Sequence, residues 1–150
     1  MSYNTARPYA ASYVLLEKDG KMAFLLRSGT DWMNGYYGLP PGKVENDEAS
    51  TAGAIREAKE EVGVNIEPTD IEAVLTMHRR EPGDHAPYWV DMFFRAKKWT
   101  GKAYNAEPQV HGELVWLDPS DLPENVVPSV KFAFEQIQKG NIYCEYGWDN

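Results

Sequence analysis

A chain of 150 residues with 43% apolar and 25% charged side chains is long enough to enclose a core and too apolar to be disordered throughout, so one compact domain over 1–150 is expected. The formal charge of -8 disfavours a broad electrostatic grip on nucleic-acid polymers or anionic membranes, because such binding depends on clustered Lys and Arg. No apolar run could span a bilayer, no signal-peptide pattern opens the chain, and the lone Cys144 excludes an intrachain disulfide; cytoplasmic residence and a structural role for Cys144 are the expectations.

The first predicted elements lie in ASYVLLEKDGKMAFLLRS, which reads as two strands joined by a hairpin turn at Asp19-Gly20. Next, GTDWMNGYYGLPPGK mixes glycines, prolines and three rings without clean periodicity, and a loop is expected. Trp32, Tyr36 and Tyr37 there either cover the core or stack on a ligand. Residues 47–62 suit a helix that Gly63 stops in a left-handed conformation. DIEAVLTMHRR and YWVDMFFRAKKW then read as strands flanking the turn-rich EPGDHAP, and ELVWLD as another. A second helix, VKFAFEQIQK, is expected to be capped by Ser129 and stopped at Gly140, with Val130, Phe134 and Ile137 on one side. Strands on both sides of an isolated helix point to a mixed α/β sandwich rather than alternating βαβ units. Neither a glycine-rich dinucleotide fingerprint nor a phosphate loop is present.

Chemistry concentrates in GKVENDEASTAGAIREAKEEVGV, Gly42 to Val64. At about 100° per residue, Ile55, Ala58 and Val62 share one helix side while Glu57, Glu60 and Glu61 point roughly opposite. Spaced i, i+3 and i+4, the three carboxylates repel one another, and a cation would relieve them. Mg²⁺ or Mn²⁺ fits, because both favour oxygen ligands and combine carboxylates with water and phosphates. For the triplet taken alone, a solvated acidic face partly neutralised by Arg56 and Lys59 is the better explanation, and spacing by itself does not decide the matter.

The wider pattern resembles the signature of the Nudix hydrolase family: Gly42, Glu48, Arg56, Glu57, Ala58, Glu60, Glu61, Gly63 and Val64 occupy its positions with the spacing intact. Gly53 stands where relatives often carry alanine, so close backbone packing is expected there; Ala58 is smaller than the frequent leucine, and Pro41 replaces a second glycine. The resemblance implies an α/β/α sandwich with a mixed sheet and the motif loop and helix at the active site. It implies hydrolysis of a nucleoside diphosphate linked to another group, with Mg²⁺ or Mn²⁺ as cofactor and a small nucleotide as partner. Glu60 and Glu61 become metal ligands, Glu57 a ligand or general base, and Glu48 an accessory ligand or water-orienting group. Arg56 would orient a motif glutamate through a bidentate ion pair, and the Pro41 carbonyl would face the cation. Glu107 is the downstream acid expected to complete the metal site, with Glu113 competing. Arg27 matches a position that contacts phosphate or sugar in some relatives.

Substrate contacts are expected from Arg27, Trp32 and Tyr37, with Trp89 and Phe93 as further rings. Lys43, Arg79 and Arg80 add basic candidates, each otherwise solvated at the surface, and His78, His85 and His111 lack metal-ligand spacing, leaving surface or hydrogen-bonding roles. A nucleoside triphosphate cleaved to monophosphate and pyrophosphate is the leading substrate. ADP-ribose, nucleotide sugars, dinucleoside polyphosphates, RNA 5′ ends and a non-catalytic nucleotide sensor are the alternatives. A homodimer is compatible with the sequence, which leaves the oligomeric state open.

Overall fold

The structure, a computed structural model, describes residues 4–81 and 87–148, with Pro41 defined by its backbone. Its elements in chain order are β1 (Tyr9–Lys18), β2 (Lys21–Arg27), β3 (Tyr37–Gly38), β4 (Pro41–Lys43), α1 (Ser50–Val62), β5 (Ile71–Arg80), β6 (Tyr88–Ala96), β7 (His111–Leu117), α2 (Pro128–Gln138) and β8 (Tyr143–Tyr146). The strands form a mixed sheet in the order β3-β2-β1-β6-β5-β8, with β4 added to β1 and β7 to β2. The β1–β6 and β5–β8 pairs are parallel and the others antiparallel.

The β1–β2 hairpin turns where expected, because Asp19 and Gly20 both adopt positive φ (53° and 76°), the pair of left-handed conformations that suits two twisted strands. Period-two alternation then sends neighbouring residues to opposite cores. Val14, Leu16, Ala23, Leu25 and Phe94 pack with Ala54, Ala58 and Val62 of α1. Leu15, Phe24, Met77 and Phe93 pack with Val130, Ala133 and Phe134 of α2. The sheet is thus sandwiched between two helices, as anticipated.

Three expectations about boundaries need correction. The first helix begins at Ser50 rather than Asp47, because Asp47 sits at φ 62° and no α-helix passes through that conformation. Ser129 does not cap α2: the helix starts at Pro128, two residues before the expected Val130, and a proline in the first turn costs no hydrogen bond. The aromatic loop contains the two short strands β3 and β4, and β8 follows α2. The turn between β5 and β6, with His85, lies outside the described residues. No helix among the described residues is long and apolar enough to cross a membrane.

Phe134 is almost wholly buried and meets Phe24 at 5.6 Å between ring centroids, tying α2 to the sheet. Phe134→Ala is expected to lower the unfolding free energy by about 3–5 kcal/mol, measured by urea denaturation, and a loss below ~1 kcal/mol would show that α2 contributes little to the core.

Candidate active site

β4 brings the motif loop to the helix. Val14 and Val44 donate backbone N–H bonds to Pro40 and Ala10, which makes Pro40 and Val44 the ladder-bonded positions on either side of the Tyr13–Pro41 and Ala11–Lys43 pairs. Antiparallel alternation therefore turns the carbonyls of Pro41 and Lys43 away from β1, and proline's missing N–H removes no ladder bond. Arg56 Nη2 of α1 donates to the Lys43 carbonyl at 3.3 Å, which places the helix on that side. Gly42 lies against Glu57 so closely that a Cβ would fall 2.0 Å from Glu57 Cγ. Only glycine fits.

Arg56 is the hub of the acids. Its Nε and Nη2 donate to the two oxygens of Glu48 at 2.7 and 3.0 Å, while Nη1 donates to Glu57 Oε1 at 2.8 Å and Glu60 Oε2 at 3.1 Å. The expected bidentate partner is therefore Glu48, whose bond raises the Arg56 pKa and whose own carboxyl is held below its ordinary value. The Glu45 N–H adds a bond to Glu48 Oε1. With both oxygens occupied, Glu48 is arranged as an anchor for Arg56 rather than as an open ligand. Gly53 shows the anticipated close packing, and what it meets is this carboxylate: a Cβ would stand 2.8 Å from Glu48 Oε1.

The acid face of the helix is only partly a solvent face. Glu57 and Glu61 are buried, whereas Glu60 and Lys59 are exposed. Burial, then the neighbouring Glu61 charge, pushes Glu57 up to about 7. Burial, then Glu107, pushes Glu61 up to about 8. Position on a helical wheel could not reveal this, because the cover comes from β4 and from a distant loop. In that loop the N–H groups of Tyr104 and Ala106 bond the Val62 and Glu61 carbonyls at the end of α1. Asn105 braces the loop through the His111 and Gly112 carbonyls and the Glu107 N–H.

Glu107 thereby comes close enough for its charge to act on Glu61. Glu113 does not share this position: it accepts the Tyr37 hydroxyl at 3.0 Å. His111, assigned a surface or hydrogen-bonding role from sequence, is buried with Nε2 3.9 Å from Glu61 Oε2. Desolvation lowers its pKa. Glu61 Oε2 and His111 Nδ1 have no hydrogen-bond partner among the described residues. Nothing in the spacing of a lone histidine could have signalled this placement.

Beside the acids lies a cleft of about 320 Å³ lined by Tyr13, Arg27, Trp32, Lys43, Trp89, Arg79 and Glu81, with Gly42 at its edge. Arg27 donates to the Trp32 carbonyl at 3.0 Å, places its guanidinium 4.9 Å from the Trp32 ring centroid, and acts electrostatically on Glu61. Lys43 Nζ lies 4.6 Å from the Tyr9 ring centroid and 5.7 Å from that of Trp89. Tyr37 is not among the lining residues, since β3 turns its hydroxyl to Glu113. Phe93 is also absent from the lining; it belongs to the core under α2 and stacks on Tyr13.

Arg79 is not solvated as expected but buried, held by Asp91 of β6 and by Glu81. A charged residue within the apolar alternation Trp89, Asp91, Phe93 was the sequence signal for that pair. Cys144 is buried, and desolvation pushes its thiol up to about 11, far from a nucleophile at neutral pH.

Comparison with known proteins places these residues in a family context. The family model of the NUDIX domain matches residues 6–137. YvcI of Bacillus subtilis (strain 168), described as an uncharacterized Nudix hydrolase, is 30% identical over 109 residues, which cover 72% of this chain and 65% of YvcI. The alignment thus spans slightly less than two thirds of that relative. The crystal structure of a MutT NUDIX hydrolase from Burkholderia pseudomallei shares 25% identity with a TM-score of 0.79, over 87% of this chain and 98% of that one. The solution structure of the E. coli ORF135 protein gives a TM-score of 0.75 at 22% identity, over 93% and 94% of the two chains, a likeness of fold. The chain belongs to the Nudix family.

Two measurements test the geometry. Helix propensity alone makes Gly53→Ala stabilising by about 1 kcal/mol, but the contact with Glu48 opposes that gain. Gly53→Ala is expected to give no gain in the native background and a gain of about 0.5–1 kcal/mol alongside Glu48→Ala, in a double-mutant cycle read by urea denaturation. Equal effects in both backgrounds would show that Glu48 does not depend on the missing methyl.

The second concerns pH. Burial pushes the folded carboxyls of Glu57 and Glu61 up to about 7 and about 8, above the ~4.3 of an unfolded glutamate. Between these limits the folded chain holds protons that the unfolded chain has lost. Their stability contribution is therefore complete below ~4.3 and declines as pH rises towards 8. Chelator-treated protein is expected to show a steeper loss of stability from pH 5 to 8 than Glu61→Gln, with parallel profiles counting against the assignment.

Proposed function

We propose that this chain is a divalent-metal-dependent hydrolase of nucleotide phosphoanhydrides, cleaving a nucleoside triphosphate, ordinary or modified, to nucleoside monophosphate and pyrophosphate. One observation carries the reading: two buried carboxylates of like charge, Glu57 and Glu61, adjoin an aromatic cleft that also holds Arg27 and Lys43. Burying such a pair is costly; Arg56 pairs with Glu57, whereas Glu61 Oε2 has no hydrogen-bond partner among the described residues. The hydrolase names of YvcI and the Burkholderia protein support the same reading.

The donor set suits Mg²⁺ or Mn²⁺, being made of oxygens. Among the described residues no three His, Cys, Asp or Glu side chains already converge as a finished site. Arg56 accounts for part of this, since it draws Glu57 and Glu60 towards itself. In our reading Glu60, Glu61 and Glu57, with the Pro41 carbonyl, hold the cation, and Glu107 completes the set from its loop. When bound, the cation neutralises phosphate charge and lowers the pKa of water.

The remaining tasks fall to the chain itself. Arg56 fixes Glu57 through Oε1, leaving its second oxygen to take a ligand or to receive a proton from the attacking water. Glu48 acts as a positioning residue by locking Arg56. Arg27 and Lys43 offset phosphate charge, while the Trp32 and Trp89 rings form part of the lining of the cleft that would receive the base.

A panel of nucleoside triphosphates, ADP-ribose, nucleotide sugars and dinucleoside polyphosphates, with products identified by mass, tests the reading. Mg²⁺-dependent release of pyrophosphate and a monophosphate is expected; tight binding without turnover on any member would make the chain a sensor instead. Glu60→Gln and Glu107→Gln are each expected to lower kcat/KM by about 100-fold with the fold intact by circular dichroism. Glu113→Gln should change it by less than about threefold, and the reverse order for Glu107 and Glu113 would reassign the downstream ligand.

A further inference from the structure

The sheet face that carries Leu15, Phe93 and Met77 beneath α2 continues beyond the helix, where the same alternation presents Tyr13 from β1, Asp91 and Trp89 from β6 and Arg79 from β5. The apolar core gives way there to a polar floor. Asp91 is fully buried and receives Arg79 Nε at 2.6 Å and Nη2 at 3.3 Å, and Tyr13 and Arg79 act on each other electrostatically. The guanidinium sits 5.0 Å from the Trp89 ring centroid, so both its edge and its face are fixed. Its third nitrogen, Nη1, donates to Glu81 Oε2 at 3.2 Å.

This end of the cleft suits a neutral ligand better than a phosphate. Asp91 and Glu81 already balance the charge of Arg79, whereas Arg27 and Lys43, the latter over the Trp89 ring that Arg79 also approaches, lie against aromatic rings. The hydrogen bonds to Asp91 and Glu81 use three of the five guanidinium N–H groups, and Glu81 carries a second oxygen, Oε1. With a spare guanidinium N–H and both Glu81 oxygens turned to a ligand, arginine and glutamate together would offer a donor followed by two acceptors. The complement is an acceptor followed by two donors, which among the common bases is the guanine edge of O6, N1–H and the N2 amino group. Adenine has one acceptor beside one donor, and cytosine has two acceptors. Uracil sets a second carbonyl where the carboxylate needs a donor.

We propose that Arg79 and Glu81 form a base-reading pair that selects guanine nucleotides. The inference rests on the hydrolase reading only for the location of the phosphates. Asp91 is a positioning residue, since it holds the guanidinium without facing the base itself.

The test uses nucleosides, which carry no phosphate to be repelled by the acids, and follows tryptophan fluorescence of the full chain in chelator. Guanosine is expected to bind about tenfold more tightly than inosine, which lacks the N2 amino group, and more tightly than adenosine or cytidine. In Glu81→Gln, folded by circular dichroism, the ratio of guanosine to inosine affinity should fall to about twofold or less. Equal or absent binding of guanosine in the native protein, or an unchanged ratio in the variant, would overturn the proposal. The two readings fail separately: a Glu81-dependent guanosine preference without Mg²⁺-dependent turnover of GTP sinks only the hydrolase. Equal kcat/KM on GTP, ITP and ATP sinks only the base-reading pair.

Discussion

One guanidinium governs the arrangement of the acids. Glu57, Glu60 and Glu61 would repel one another on an isolated helix, and Arg56 resolves part of that conflict by bonding Glu57 and Glu60 from one nitrogen while its other edge is clamped by Glu48. Two glycines make the geometry accessible. Gly42 lets β4 lie on the Glu57 side chain, and Gly53 leaves room for the Glu48 carboxylate against the helix backbone. The motif is therefore a packing specification as much as a set of charges: Glu57 and Glu48 each have their place because a neighbour lacks a Cβ.

Arg56 does not reach Glu61, and the rest of the site follows from that. The carboxyl-terminal end of α1 has unpaired carbonyls, as every helix does, and the loop after Trp99 satisfies two of them through Tyr104 and Ala106. Capping the helix in this way also covers Glu61 and delivers Glu107 beside it. Gly63 serves twice, adopting φ 72° to end the helix and leaving space for the Tyr104 ring, which a Cβ would meet at 2.1 Å. A structural requirement of the helix end and the assembly of an acidic site are met by the same backbone bonds.

Local chemistry made much of this legible. The Asp19-Gly20 turn, the apolar side of α2, the stop at Gly63 and the spacing from Gly42 to Val64 all depend on residues near in sequence. What escaped depends on cover from afar. Helical projection gave the angular positions of Glu57 and Glu61 correctly, but their burial comes from β4 and from the loop that carries Glu107. Strands of two to four residues, β3, β4 and β8, are too short for periodicity to register. Arg79 looked like a surface cation because its partner, Asp91, lies on another strand; the register that brings Met77 opposite Asp91 and Arg79 opposite Trp89 is a property of the folded sheet.

The acidic net charge and an anionic substrate are reconciled by this same separation. Of the 15 Lys and Arg residues, Arg56 and Arg79 are committed to internal carboxylates, while Arg27 and Lys43 lie over aromatic rings in the cleft. The rings hold these cations at the proposed ligand position without cancelling their charge, as a carboxylate would. A polymer would need a basic track extending beyond the cleft, whereas a single nucleotide needs only local compensation at its phosphates. The protein can therefore be acidic overall and still receive a small polyanion. In the proposed reading, discrimination falls to the charge-balanced Arg79 and Glu81, because hydrogen-bond direction, rather than attraction to phosphate, differs between one base and another.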